Sequence, residues 1–355
     1  DIQYSRLGHV DRTTESVVLP DSTYTLTIVN THDARGNITK SVASVGSGQS
    51  EIEYAYDALG LMNRMSLHRQ AGSRCEYSHD MRGRLKTIAT PGFSQELYYE
   101  DGDTPCYNGS ISAEDYGYET DAYTGLAWPT DKVTYSYDAL NRLVGSASSD
   151  GYDTSYSYDL NSAITAIVRK GLLSDRVTKG MVDDLTMTYD GNRLSEVDDA
   201  ADRVTLESSL DYDGRSSEPF AYDASGRLIF YPGTDELSIK YAPNDMPVQM
   251  SSETATADYR YLADGRKLSR TLTASLTLSR SIKKRTTTCD VGAFRFTRGG
   301  TVGSPKLDRV TLPWGYFDKK LQANVYIKDY QGNIRAVYNQ YSTAIVQQTD
   351  YYPYG

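Results

Sequence analysis

Tyr222-Asp223-Ala224-Ser225-Gly226-Arg227-Leu228, followed by Ile229-Phe230, writes a strand end, a reversal and a strand start into one short segment. Aspartate suits the first position of a type I turn, where its carboxylate can accept backbone N–H groups two residues on. Gly226, three residues later, adopts the left-handed conformation that closes a hairpin with a bulge. Leu228 then re-enters the sheet. The segment predicts strand, turn, strand.

The pattern recurs along the chain. It is found at His32-Asp33…Gly36-Asn37-Ile38, Tyr56-Asp57…Gly60-Leu61-Met62, His79-Asp80…Gly83-Arg84-Leu85 and Tyr137-Asp138…Asn141-Arg142-Leu143. Looser copies stand at Tyr158-Asp159, at Tyr189-Asp190 (one residue shorter) and from Tyr261 to Leu268. A last one, Lys328-Asp329…Gly332-Asn333-Ile334, has lost its leading aromatic. Ala242 and Pro243 stand where an aspartate would begin a turn, which predicts a departure there. Ahead of the turns, residues alternate: Ile52, Tyr54 and Tyr56 against Glu53 and Ala55, and Val133, Tyr135 and Tyr137 against Thr134 and Ser136. Leu185, Met187, Tyr189 and Leu237, Ile239, Tyr241 follow the same scheme. Alternation is the mark of a strand with unlike faces. Turn chemistry and alternation agree, so the chain reads as all-β: repeated antiparallel hairpins forming a curled or spiral sheet, open or closed.

Residues 195–207 have helical residue types but no apolar stripe at helical spacing, and 271–282 alternates like a strand. The Pro-, Gly- and acid-rich residues 100–128 read as a long connection or irregular hairpin. Hairpins stacked in register would set Tyr beside Tyr, each pair contributing roughly 0.2–1 kcal/mol.

Composition narrows the function. The 355 residues carry a formal charge of −10, against the basic face nucleic acid requires. No apolar run approaches the ~18 residues of a spanning helix. Cys75, Cys106 and Cys289 are too few and scattered for a disulfide framework or a zinc site. With 31 Tyr against 6 Phe, ring hydroxyls must find partners, which favours half-wet sheet faces over one dry core. Beginning at Asp1 with no basic-then-apolar leader, the chain reads as a fragment or a mature product.

Catalytic signals are weak. Ser281-Ile282-Lys283-Lys284 has a serine–lysine spacing that belongs on a helix start, yet it follows a strand. Gly299-Gly300-Thr301-Val302-Gly303-Ser304-Pro305-Lys306 lacks the ending of a phosphate loop and reads as a hairpin tip. His9, His32, His68 and His79 show no ligand spacing. The acidic pairs Asp101/Asp103, Asp183-Asp184, Asp198-Asp199 and Asp211/Asp213 could form a carboxylate dyad or calcium site, but read better as solvated turns. Lys283-Lys284-Arg285 is too short for a nucleic-acid patch. No catalytic, cofactor-binding or metal-binding residue is assigned.

The Tyr-Asp-x-x-Gly-Arg-Leu units resemble the YD repeats of bacterial RHS (rearrangement hotspot) proteins and of the related teneurin shell. Tyr107-Asn108-Gly109-Ser110-Ile111 is similar to a recurrent segment of bacterial members. Asp290-Val291-Gly292-Ala293-Phe294, Leu312-Pro313-Trp314-Gly315-Tyr316, the run from Tyr326 to Arg335 and the closing Asp350-Tyr351-Tyr352-Pro353-Tyr354-Gly355 resemble the RHS-associated core. The resemblance implies a β-sheet spiralling into a hollow shell that encloses a C-terminal variable region, often a toxin. The family's self-cleavage motif would lie past Gly355, so neither its aspartates nor a toxin is assigned here.

The resulting expectation is a repeat array over 1–289 and a core segment over 290–355 continuing the same sheet. Its role would be a non-enzymatic shell segment of a secreted or surface bacterial protein, with effector cargo outside this chain. The alternatives are an extracellular carbohydrate- or protein-binding adhesion module, and an enzyme using a hidden carboxylate pair. No cofactor, nucleic acid or membrane span is expected, and exposed sheet edges would favour self-association.

Overall fold

A computed structural model describes residues 1–67, 73–118, 131–173, 177–201, 212, 218–233, 236–278, 280–300 and 303–353, with backbone alone for 275–278 and 280–283. Among the described residues the regular elements are all strands. They pair antiparallel and in chain order in two sheets. One has 16 strands, from Ile2–Tyr4 to Arg193–Asp199, and the other 13, from Ala221–Tyr222 to Ala344–Gln348. Neither closes into a barrel. Chain-order pairing follows from the reversals: each short turn returns the polypeptide beside the strand it has just left.

The reversals are where the sequence puts them. Asp57 N–H donates to the Leu61 carbonyl and Gly60 N–H to the Asp57 carbonyl, with Gly60 at φ 86°. The same bonds recur at Asp33, Asp80, Asp138, Asp159, Asp223 and Asp329. The register slips by one residue at each, between Ala55 and Tyr56, Ser136 and Tyr137, and Ile327 and Lys328, for example. That slip is a β-bulge: the returning strand carries one extra residue.

Two compact units are present. The first comprises 1–132, 291–296 and 307–355. Its core is a two-layer arrangement. Ala43, Val45, Ile52, Met65, Cys75, Ile88 and Phe93 of the first sheet pack with Phe294, Val310, Trp314, Phe317, Val325 and Tyr338 of the second. Each such side chain contributes about 1.5–3 kcal/mol when fully buried. The second unit, 133–290 and 297–306, buries Val133, Tyr135, Tyr156, Val182, Leu185 and Ile239. Within it Phe220 N–H donates to the Ser195 carbonyl, linking strand Arg193–Asp199 to the segment leading into Ala221–Tyr222.

The structure adds detail at three places. The long connection or irregular hairpin expected over 100–128 contains a strand, Ala113–Gly117, paired antiparallel with Phe93–Tyr98; residues 119–128 lie outside the described residues. Residues 195–199 of the 195–207 stretch, which lacks a helical stripe, lie in the strand Arg193–Asp199. The departure expected at Ala242 does not break the backbone turn: Ala242 N–H donates to the Met246 carbonyl and Asp245 N–H to Ala242, with Asp245 left-handed at φ 63°. Asp211 and Asp213, His68, Thr301, Val302, Tyr354 and Gly355 also lie outside the described residues.

Candidate functional site

The repeated turn is the feature that concentrates polar chemistry in this chain. Its aspartate uses both carboxylate oxygens. Asp138 Oδ1 accepts the N–H groups of Leu140 and Arg142, both at 2.9 Å, and Oδ2 accepts Arg142 Nε at 2.7 Å. Asp80 and Asp223 do the same, taking Arg84 Nε at 2.7 Å and Arg227 Nε at 2.6 Å. In Asp33 an asparagine, Asn37, replaces the arginine, its amide 3.0 Å from Oδ2. Asp57 and Asp159 bind the two backbone donors. Such bonds favour the charged form. The Asn37 amide holds Asp33 below the usual carboxylate range, the Arg142 backbone N–H does so for Asp138, and the Arg227 guanidinium does so for Asp223.

The tyrosine ahead of several of these turns makes a bond that the sequence pattern does not specify. Its hydroxyl hooks back onto the preceding hairpin, donating to the carbonyl of the residue that re-enters the sheet. Tyr56 donates to Ile38 at 2.9 Å, Tyr158 to Leu143 at 2.6 Å, Tyr189 to Ile164 at 2.7 Å and Tyr222 to Leu194 at 2.8 Å. Tyr99, Tyr241 and Tyr261 make the same bond to Leu85, Leu228 and Pro247. The arginine already fixed by the preceding aspartate lies over that ring: Arg84 over Tyr99 at 4.1 Å, Arg142 over Tyr158 at 4.6 Å and Arg227 over Tyr241 at 4.9 Å. Aspartate thus orients arginine, arginine covers the next tyrosine, and tyrosine ties down the turn's return strand. Burial raises the phenol pKa of Tyr56, Tyr189 and Tyr261, keeping them as donors. Phenylalanine cannot make this bond, which gives these seven positions a reason to hold Tyr and not Phe.

Two copies escaped the sequence pattern. Ser5 accepts the N–H groups of Leu7 and His9 on its hydroxyl, with Gly8 left-handed, so Tyr4-Ser5-Arg6-Leu7-Gly8-His9 is the same turn with serine for aspartate. Asp318 accepts Lys320 and Gln322 N–H at 2.8 and 2.9 Å, with Leu321 at φ 62° in the glycine position. The aromatic–Asp pair Phe317-Asp318 was the available signal. Asp190 departs in the other direction: it pairs with Arg193 at the end of its strand across a shorter turn.

Near the C-terminus the motif is rebuilt as a buried node. Asp329 accepts Gln331 and Asn333 N–H on Oδ1, while Oδ2 accepts Asn333 Nδ2 at 3.1 Å and Arg335 Nε at 2.9 Å. The side chains of Asp329 and Arg335 are 0% and 4% exposed. Arg335 also lies 3.3 Å from Asp350 and 4.9 Å from the centre of the Tyr116 ring. Tyr118 donates to Asp350 at 2.6 Å, Tyr351 to the Ile334 carbonyl at 3.2 Å, and Gln331 to the Pro353 carbonyl at 3.0 Å. Residues 349–353 are therefore fastened to the last turn.

Of the acids considered for catalysis, Asp101 pairs with Lys86, Asp103 with Lys132, and buried Asp183 with Arg169, at 2.6–2.7 Å. Asp199 caps the Asp184 and Ala201 N–H groups. His9 and His32 stack at 5.0 Å, and His32 lies 3.5 Å from Asp11. Among the described residues no three His, Cys, Asp or Glu side chains group to hold a metal, and no helix is long and apolar enough to cross a membrane.

Residues 3–173 match the family model of the teneurin YD-shell. Among solved structures, the chain is similar to TcdB2-TccC3-TEV (TM-score 0.62) and TcdB2-TccC3-Cdc42 (0.61), each 13% identical over 99% of this chain and 20% of the other. It is likewise similar to the Photorhabdus luminescens Tc holotoxin pore, at TM-score 0.60 and 13% identity, over 98% of this chain and 19% of that one. The chain thus spans about one fifth of the length of these solved chains. No curated protein sequence matches it.

Proposed function

We propose that the chain is an RHS/YD-shell protein and acts as a non-catalytic wall segment, from a secreted or surface protein, that helps enclose an effector region carried outside these 355 residues, a reading supported by the family-model match over residues 3–173 and the shared fold. The observation carrying this reading is the aspartate–arginine–tyrosine hook, which couples one hairpin to the next at turn after turn. A wall must resist opening along its whole length, and a repeat array distributes stability over neighbouring units instead of one centre. The repeat aspartates Asp80, Asp138 and Asp223 and their arginines are committed to holding turns. The likeness to a chain of the Tc holotoxin pore supports association with other toxin components. The division into a repeat array over 1–289 and a core segment over 290–355 belongs to the same proposal.

The repeat tyrosines bear on the adhesion reading. Arginine covers the rings of Tyr99, Tyr158 and Tyr241 and carbonyls engage their hydroxyls, so these three rings are not free faces for stacking on sugars. The test is protease protection. A marker peptide encoded after residue 355 in the longer polypeptide should resist a protease that digests the same marker when free. Digestion at the free rate would overturn enclosure.

A further inference from the structure

We propose that the first unit holds a binding site for a small aromatic monocarboxylate, independent of the wall function. A cavity of about 570 Å³ is lined by Tyr54, Met65, Tyr77, Trp314 and Tyr326, with Met62 beside them. That volume falls within the roughly 300–1,000 Å³ of small-molecule sites. Aromatic faces and thioether sulfurs together favour a planar ring over an alkyl chain. The site is preformed: Trp314 is 7% exposed and its indole N–H donates to Ser50 Oγ at 2.9 Å. None of these lining rings serves in a described tyrosine hook.

Charge selects the second half of the ligand. Three ionisable side chains besides the phenols line the cavity, His79, Lys328 and Asp329. The Asp329 carboxylate is already neutralised by Arg335 at 2.9 Å and filled by Asn333 and two backbone donors. Lys328 is exposed and forms no ion pair among the described residues. It is the cation left to meet an incoming carboxylate, while the ring lies among the aromatic side chains. An aromatic ring bearing a short carboxylate arm satisfies both halves; a neutral aromatic satisfies one.

Calorimetric titration of the full chain with 3-phenylpropionate and with neutral 3-phenylpropanamide tests this. Saturable binding of the acid is expected, with the amide weaker by roughly fivefold, the scale of one exposed charge pair. Lys328→Ala should lower the acid to the amide's affinity and leave the amide unchanged. Met62→Trp, filling the cavity from a half-buried position, should remove both. Absence of saturable heat at about 5 mM ligand, a weak-binding limit, would overturn the site. So would an acid-to-amide ratio unaltered by Lys328→Ala. If Met62→Trp fails to fold, the Lys328→Ala comparison at its exposed position still decides.

Discussion

The Tyr158 hydroxyl lies 2.6 Å from the carbonyl of Leu143, the residue at which the preceding hairpin returns to the sheet. Arg142, bound to Asp138, covers the same ring. One side chain therefore joins two turns, and its deletion should be felt as lost coupling. Tyr158→Phe keeps the ring and removes only the bond, so a loss of about 1 kcal/mol in unfolding free energy is expected. Tyr158→Ala should cost about 3–5 kcal/mol, as large-to-small changes do. Urea unfolding of both variants, with Tyr341→Phe as an exposed control, measures the difference. A Phe variant as stable as the parent would show that the carbonyl is equally satisfied by water.

The turn was readable in the sequence because it is local. Asp138 reaches donors only two and four residues away, and Asn141 supplies the left-handed residue between them. The hook was not readable. Its acceptor is a backbone carbonyl on the preceding hairpin, a position that only the register identifies. Leu321 hid a complete turn because leucine rarely takes φ 62°, and Ser5 hid another because it gives one hydroxyl in place of a carboxylate. Strand Ala113–Gly117 went unread because its residues have little strand preference. Side chains pin it instead, with Gln95 donating to Glu114 at 2.5 Å and Tyr98 to Asp115 at 3.0 Å. Arg335 joins Asp329 to Asp350 through packing that no local pattern records.

That node gives a sharper energetic expectation than the exposed turns. Asp329 and Arg335 are both buried, so removing Asp329 leaves the guanidinium only its longer contact to exposed Asp350, at 3.3 Å. Asp329→Ala should cost about 3–5 kcal/mol, and adding Arg335→Met should recover part of that loss. Thermal and denaturant unfolding of the single and double variants provide the cycle. Additive losses would mean that the two charges do not depend on each other.

Stability should also respond to pH at both extremes. Asp33, Asp138 and Asp223 have folded pKa values below the ordinary 3.8. Their stabilisation is present above that value and lost as pH falls through the folded values. Burial pushes the Tyr54 phenol from 10.0 to about 12, the opposite sign. Its contribution is complete below 10 and disappears as pH rises toward 12. From these groups, denaturation midpoints should decline as pH falls below the ordinary carboxylate value of 3.8 and as it rises above the ordinary phenol value of 10.0, and stay level between. Asp138→Asn combined with Asp223→Asn should shrink the acid decline; an unchanged acid limb would assign it to other carboxylates.

Gly60 isolates the cost of backbone conformation from that of packing. Its φ is +86°, and a Cβ placed there would meet nothing within 4 Å. Gly60→Ala therefore adds no clash and removes no contact; it only forces a side-chain-bearing residue into the left-handed region. The penalty should be about 1–2 kcal/mol. Pro91-Gly92 offers the contrast, since a Cβ at Gly92 would come 2.5 Å from Ile345 Cγ1 as well as suffering φ +82°. Gly92→Ala should consequently destabilise more than Gly60→Ala in the same urea titration. Equal losses at the two sites would mean that Ile345 moves aside freely, leaving conformation as the whole penalty at both.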